Sequence, residues 1–154
     1  MNTATLRSKA SQRGFTTIEL ILVLIVVGIL AAFVITSRAG VQQNQRNAER
    51  QNDIKELREG LETYFANANQ YPTLANLNDN AWRSTNLKSL DPGTFQDPRG
   101  KTNQLVDKPV ANSYTYSVTS ASGAPCGSAA TPCTQYTLTA TLEGGGTFTK
   151  SNLN

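Results

Sequence analysis

Residues 15–35, FTTIELILVLIVVGILAAFVI, form a 21-residue apolar run that carries one charged group, Glu19. Wound as a helix the run is about 30 Å long, the hydrocarbon thickness of a bilayer. It is predicted to span a membrane, and it is then withdrawn from any water-soluble core. Of the 154 residues, the remainder suffices for one modest domain. Glu19 is out of place in such a helix. A carboxylate there costs up to about 2.5–3.5 kcal/mol at the bilayer centre and less near an end, so it needs a partner or a route to water.

The net charge of +3 does not mark an acidic partner. Arg7, Lys9 and Arg13 all precede the apolar run without an acidic residue among them, and after Gly14 there are 11 basic and 11 acidic side chains. The basicity belongs to the leader, and no basic patch points to nucleic acid. The chain has no histidine. This removes the commonest general base, the usual nucleophilic triads and most catalytic zinc sites. No enzyme is expected.

Beyond the run the pattern turns amphipathic. Ile54, Leu57, Leu61, Tyr64, Phe65 and Ala68 fall at helical spacing on one face, while the charges at 49–62 alternate in sign and read as a solvated surface with local pairs. A continuous helix from 15 to about 67 is on the order of 80 Å long. Gly28, Gly40 and Gly60 are its weak points, each costing about 1 kcal/mol against Ala. Asn-rich sequence and Pro72 end it. Residues 69–112 are loop-rich, with short helical turns expected at Ala75–Trp82 and Leu87–Leu90, and with turn signals at DPG (91–93) and DPRG (97–100). Trp82 is either a packing anchor or an exposed contact.

The last third changes period. SYTYSVTS (113–120) and QYTLTATLE (135–143) alternate apolar with polar residues, GGG (144–146) makes a tight connection, and TFTKS returns with Phe148 inward. An antiparallel meander of three or four strands needs a cover for its apolar face. The stripe of the helix is the long apolar surface available to it. Tyr114, Tyr116, Tyr136 and Phe148, at strand spacing, are expected in the core rather than on a stacking platform. The fold class is therefore α+β. Cys126 and Cys133 are predicted to form a disulfide, worth roughly 2–3 kcal/mol in the chain-entropy model. The basic residues flanking the apolar run (Arg7, Lys9, Arg13; Arg38, Arg46, Arg50) do not orient it. The disulfide does, by placing the C-terminal part in an oxidising compartment.

RGFTTIELILVLIVVGILAAF resembles the N-terminus of the type IV pilins and the type II secretion pseudopilins: a short basic leader ending in glycine (Gly14), then Phe15, Glu19 and an unbroken apolar helix. YPT (71–73) and DPRG (97–100) also resemble landmarks of the major pseudopilins. The resemblance implies a pilin fold, with an apolar projecting half-helix at 15–35, an amphipathic half at 36–68, a loop region at 69–112 and a sheet at 113–154. It implies removal of leader 1–14 by a prepilin peptidase and methylation of the Phe15 amine. A single-pass subunit then waits in the inner membrane with its N-terminus cytoplasmic. An assembly platform and ATPase draw it into a homo-oligomeric helical filament, either an extracellular pilus or a periplasmic pseudopilus. Glu19 is the expected assembly residue, pairing with the Phe15 amine of a neighbour. No cofactor is implied beyond calcium, which some pseudopilins bind. Asp91, Asp97 and Asp107 are the candidates, but calcium wants six or more oxygens and no EF-hand spacing is present, so turn and capping roles are expected instead. The chain departs from the pilin pattern at Thr36 and Ser37, near where many members carry a proline.

Three readings of other kinds compete. A plain signal-anchor would leave Glu19 without a purpose. Cleavage after Ala39, in SRAG, would free a secreted binding domain. A membrane-anchored enzyme would need a catalytic constellation that the sequence lacks.

Overall fold

The computed structural model describes residues 14–153 except Ala129, and within its first helix the side chains of 33–39 are not among those described. The leader, Gly14 apart, lies outside the described residues. The chain divides into two compact units, one up to Val41 and one from Gln42 onward. Each is taken by itself.

Helix α1, Thr17–Ala68, is 52 residues long and passes without a break through Gly28, Gly40 and Gly60. In the first unit its described apolar side chains face outward, from Ile18 at 74% to Leu30 at 60% exposure. Among the described residues no helix is long and apolar enough to cross a membrane. The apolar run itself continues in the sequence to Ile35.

In the second unit the stripe predicted for α1 is buried. Ile54, Leu57 and Leu61 are at most 2% exposed, and Tyr64 and Phe65 pack against the same core. The helix stops where Asn69 enters the left-handed region (φ 55°) and donates its N–H to the Phe65 carbonyl at 2.8 Å, a role that a short amide side chain tolerates. Gly60 is not the weak point that propensity suggests. A Cβ there would lie 2.5 Å from a Leu90 methyl, so the missing side chain lets the 87–90 turn pack on the helix.

The loop region holds α2 (Leu74–Asn78), α3 (Asn80–Asn86) and a 3-10 turn at Pro92–Phe95. Thr73 and Asp79 cap the two helices. Leu87–Leu90 is a turn rather than a helix, closed by the Leu90 N–H on the Leu87 carbonyl. Trp82 is a packing anchor, its ring 5.1 Å from that of Tyr64.

Strands β1 (Tyr114–Thr119), β2 (Gln135–Thr141) and β3 (Thr147–Ser151) form an antiparallel meander in that order. The register sets Tyr114 opposite Ala140, Tyr116 opposite Leu138 and Val118 opposite Tyr136. That face joins Ile54, Leu57 and Leu61 in one core. Alternation fails at one place. Thr115, predicted to face solvent, is buried, because Val106 adds a parallel bridge beside β1. The arrangement is α+β with three strands.

Candidate functional site

The residues around Gly14 lie in the open. Nothing comes within 4 Å of where a Gly14 Cβ would stand, and Phe15 is 84% exposed. Thr16 precedes the helix, and its hydroxyl accepts the Glu19 N–H at 3.3 Å while the Glu19 carboxylate accepts the Thr16 N–H at 3.4 Å. This reciprocal pair is a capping box, which satisfies two amide donors at a helix start and sets a negative charge against the positive end of its dipole. Its signature, Thr16-x-x-Glu19 directly before an apolar run, is present in the sequence but was not among the features predicted from it. Glu19 therefore already has a partner within its own chain.

The second unit contains a buried ionic cluster. Arg50, 1% exposed, grips Asp97 with two bonds, Nε to Oδ2 at 2.6 Å and Nη2 to Oδ1 at 2.9 Å, and reaches Glu143 Oε1 at 2.9 Å. Arg46 makes its own fork onto Glu143, at 2.7 and 2.6 Å. Three segments meet there: α1, the DPRG turn and the chain leaving β2. The Arg46 fork, joined by Arg50, holds the Glu143 carboxyl down at about 2, against the desolvation that opposes it. The Asp97 bond in turn raises Arg50. Arg50, within the alternating charges at 49–62, is not a local surface pair; its partners are 47 and 93 residues away.

Both short landmarks acquire a physical role. In DPRG, Asp97 is the buried counter-ion of Arg50, and it also accepts the Arg99 N–H at 2.8 Å. In YPT, the Tyr71 N–H donates to the Cys133 carbonyl at 2.8 Å, the Pro72 carbonyl accepts from the Tyr116 hydroxyl at 2.7 Å, and Thr73 caps α2. Cys126 and Cys133 are disulfide-bonded, with Cα atoms 5.1 Å apart. The bridge closes its loop against YPT.

Two further acids on α1 serve the sheet. Glu62 accepts the hydroxyls of Tyr71 and Tyr136 at 3.0 and 2.8 Å. Asp53 accepts the Tyr114 hydroxyl. Burial lifts the Asp53 carboxyl to about 6; the Tyr114 bond opposes this, and nearby Glu49 and Glu56 add to it. Of the calcium candidates, Asp97 is occupied by Arg50 and Asp91 accepts the Gly93 N–H at the 3-10 turn. Among the described residues no three His, Cys, Asp or Glu side chains gather as a metal site would require, Asp107 included.

The chain is 38% identical over 68 residues to the type II secretion system core protein G of Klebsiella michiganensis, covering 42% of this chain and 46% of that one. It is 29% identical over 106 residues to the protein of that name from Aeromonas hydrophila, covering 69% and 73%. The type IV major pilin protein PilA of Myxococcus xanthus matches at 33% over 70 residues, 46% of this chain and 32% of its own. This chain is related to the type IV pilins and the type II secretion pseudopilins. The match spans about half the length of the first of these relatives. No family model and no solved structure matches.

For a pilin relative, the arrangement separates two kinds of site. The apolar helix with Gly14, Phe15 and Glu19 is exposed among the described residues. The Arg50 cluster, Glu62 and the disulfide hold the chain's own domain together. The sequence marked the first kind by an anomaly of composition. Of the second, the cysteine pair, YPT and DPRG were visible, but the partners of Arg50 and Glu62 were not, because a buried polar pair between distant residues leaves no local periodicity.

Proposed function

We propose that the chain is the precursor of a type IV pilus-like filament subunit, acting by assembly rather than catalysis. One observation carries this reading: a helix apolar on all sides and outward-facing from Ile18 to Leu30, beginning at Thr17, two residues after Phe15, and carrying one carboxylate. Contiguous apolar surface of this extent is stable only against lipid or other protein. In this proposal a prepilin peptidase removes residues 1–14, the Phe15 amine is methylated, and the subunit resides as a single-pass inner-membrane protein, N-terminus cytoplasmic. The platform and ATPase machinery then pack the 15–35 segments into a filament core. Residues 36–68 link that core to the loop region and the sheet.

In a dry core an unpaired carboxylate is severely penalised, whereas a paired one can set register. The amine created at Phe15 by cleavage on a neighbouring subunit is the partner we assign to Glu19. Intact-mass and N-terminal peptide spectrometry of the protein from its host tests the processing. A methyl-Phe15 N-terminus is expected; Gly40 or an intact Met1 would overturn it. For the pairing, Glu19→Ala subunits should fail to incorporate, and incorporation with wild-type efficiency and geometry would refute it.

A second reading, the pseudopilin of a type II secretion system, rests on the Aeromonas hydrophila relative, whose similarity extends over 69% of this chain. Deleting the gene separates the two machines. Loss of surface pili identifies a pilin, and retention of exoproteins in the periplasm identifies a pseudopilin.

A further inference from the structure

Among the described residues two arginines are buried in the second unit, and of these Arg50 forms salt bridges and Arg83 does not. Arg50 is matched by Asp97 and Glu143. Arg83, on α3, is 7% exposed and forms no salt bridge among the described residues. Its guanidinium lies over the Phe95 ring, 4.3 Å from the centroid. Nη1 donates to the Asn103 carbonyl at 3.0 Å and Nη2 to Asn80 Oδ1. A guanidinium has five N–H donors, so three are left without a protein acceptor among the described residues. Asp79 acts on it through space without forming a salt bridge, and its Oδ1 accepts the Ala81 and Trp82 amides.

This unmatched cation lines a cavity of about 410 Å³, within the range of small-molecule sites. Leu87, Leu90 and Phe95 supply apolar wall, and Lys88 adds a second positive charge at the exposed side. Burial works against the charge on Arg83, and a bound anion would offset that cost.

We propose that this cavity binds a small organic carboxylate with an apolar body, its two oxygens held by the free donors of Arg83 and its body against Leu87, Leu90 and Phe95. The planar fork of a guanidinium matches a carboxylate. The apolar wall selects against a bare inorganic anion. Lys88 supplies long-range attraction and is not part of the fork.

The test uses the full chain in detergent micelles, labelled with 15N at arginine, and follows the Arg83 Nε–H resonance, assigned by its loss in Arg83→Lys. Benzoate should shift it saturably, with a Kd on the order of 1 mM. Benzamide, the same body without the charge, should leave it in place. Lys88→Gln alters an exposed side chain and leaves the packing intact; it should weaken benzoate about threefold. In Arg83→Lys, benzoate binding measured by ligand relaxation should fall about tenfold or more. The site is overturned by an absent or unsaturable shift, by an equal response to benzamide, or by inorganic phosphate acting at lower concentration than benzoate. If Arg83→Lys does not fold, ligand relaxation of benzoate and of benzamide with the wild-type chain and with Lys88→Gln decides the matter: binding of benzoate alone, weakened in Lys88→Gln, supports the site, and equal binding of both probes overturns it.

Discussion

Glu19 and Arg50 lie on the same helix, and the two units treat their charges in opposite ways. Glu19 is exposed, held by two local bonds to the residue three positions before it. Arg50 is buried and held by acids brought from far along the chain. Around Glu19 the apolar side chains are exposed; around Arg50 they are sealed in a core. The second unit thus satisfies its own surface, and the first presents surface that its own chain leaves uncovered. If the proposed function holds, stability and assembly are written on different lengths of one helix, and substitutions should separate them.

The largest effect is expected at the buried pair. Asp97→Ala leaves the Arg50 guanidinium in the core with Glu143 and the Asn47 amide oxygen on Nη1 and no acceptor for the Nε and Nη2 fork, and breaking such a pair costs about 3–5 kcal/mol. Denaturant unfolding followed by Trp82 fluorescence measures it. The double variant Arg50→Met, Asp97→Leu should recover much of the loss, since the penalty comes from the unmatched charge. A loss below about 1 kcal/mol for Asp97→Ala would mean that the pair is screened like a surface bridge, and the contrast with Glu19 would collapse. Next in size is the disulfide. Cys126→Ser with Cys133→Ser should cost about 2–3 kcal/mol in the same assay, and reduction of the wild type should reproduce that cost.

The sequence was legible where order is local. Helical periodicity placed Ile54, Leu57 and Leu61, period-two alternation placed Tyr114, Tyr116, Tyr136 and Leu138, and both sets met in one core. A cysteine pair in a Pro/Gly-rich loop announced its bridge. Long-range chemistry was not legible. Nothing near Arg50 predicts Asp97, nothing near Gly60 predicts Leu90, and Thr115 is buried only because Val106 arrives beside it. Two local signals, the capping boxes Thr16-x-x-Glu19 and Thr73-x-x-Asn76, were also not read; the first is masked by the oddity of a charge in an apolar run.

A smaller effect is expected at Asp53. Its folded carboxyl titrates at about 6 rather than 3.8, so the folded state binds the proton more tightly than the unfolded state does. Stability therefore falls as pH rises between about 4 and 6, and above that range the buried charge carries its full penalty. Asp53→Asn removes the charge while keeping an acceptor for Tyr114. It should stabilise the domain by about 1–2 kcal/mol at pH 7 and flatten its profile from pH 4 to 6. Glu143 has the opposite sign: its carboxyl is held at about 2, so its contribution is present above about 4.5 and is lost as pH falls toward 2. An Asp53→Asn variant less stable than wild type at pH 7 would show that the Tyr114 bond outweighs desolvation.

The smallest effect carries the most information about Glu19. Thr16→Ala removes one side of the capping box and should cost about 0.5–1 kcal/mol, confined to the first turn of α1. Hydrogen exchange at residues 17–20 should quicken a few-fold, while unfolding of the second unit stays unchanged. Glu19→Gln does the converse. A glutamine can still accept from the Thr16 N–H, so the helix start is kept, but the charge is gone. If Glu19 matters through the cap, Thr16→Ala should impair incorporation into filaments and Glu19→Gln should not. If it matters as a charge for the amine of a neighbour, the pattern inverts: Glu19→Gln blocks incorporation and Thr16→Ala is tolerated. We expect the inverted pattern. The cap is worth about 1 kcal/mol in water, whereas an unmatched ammonium in a packed apolar core costs several.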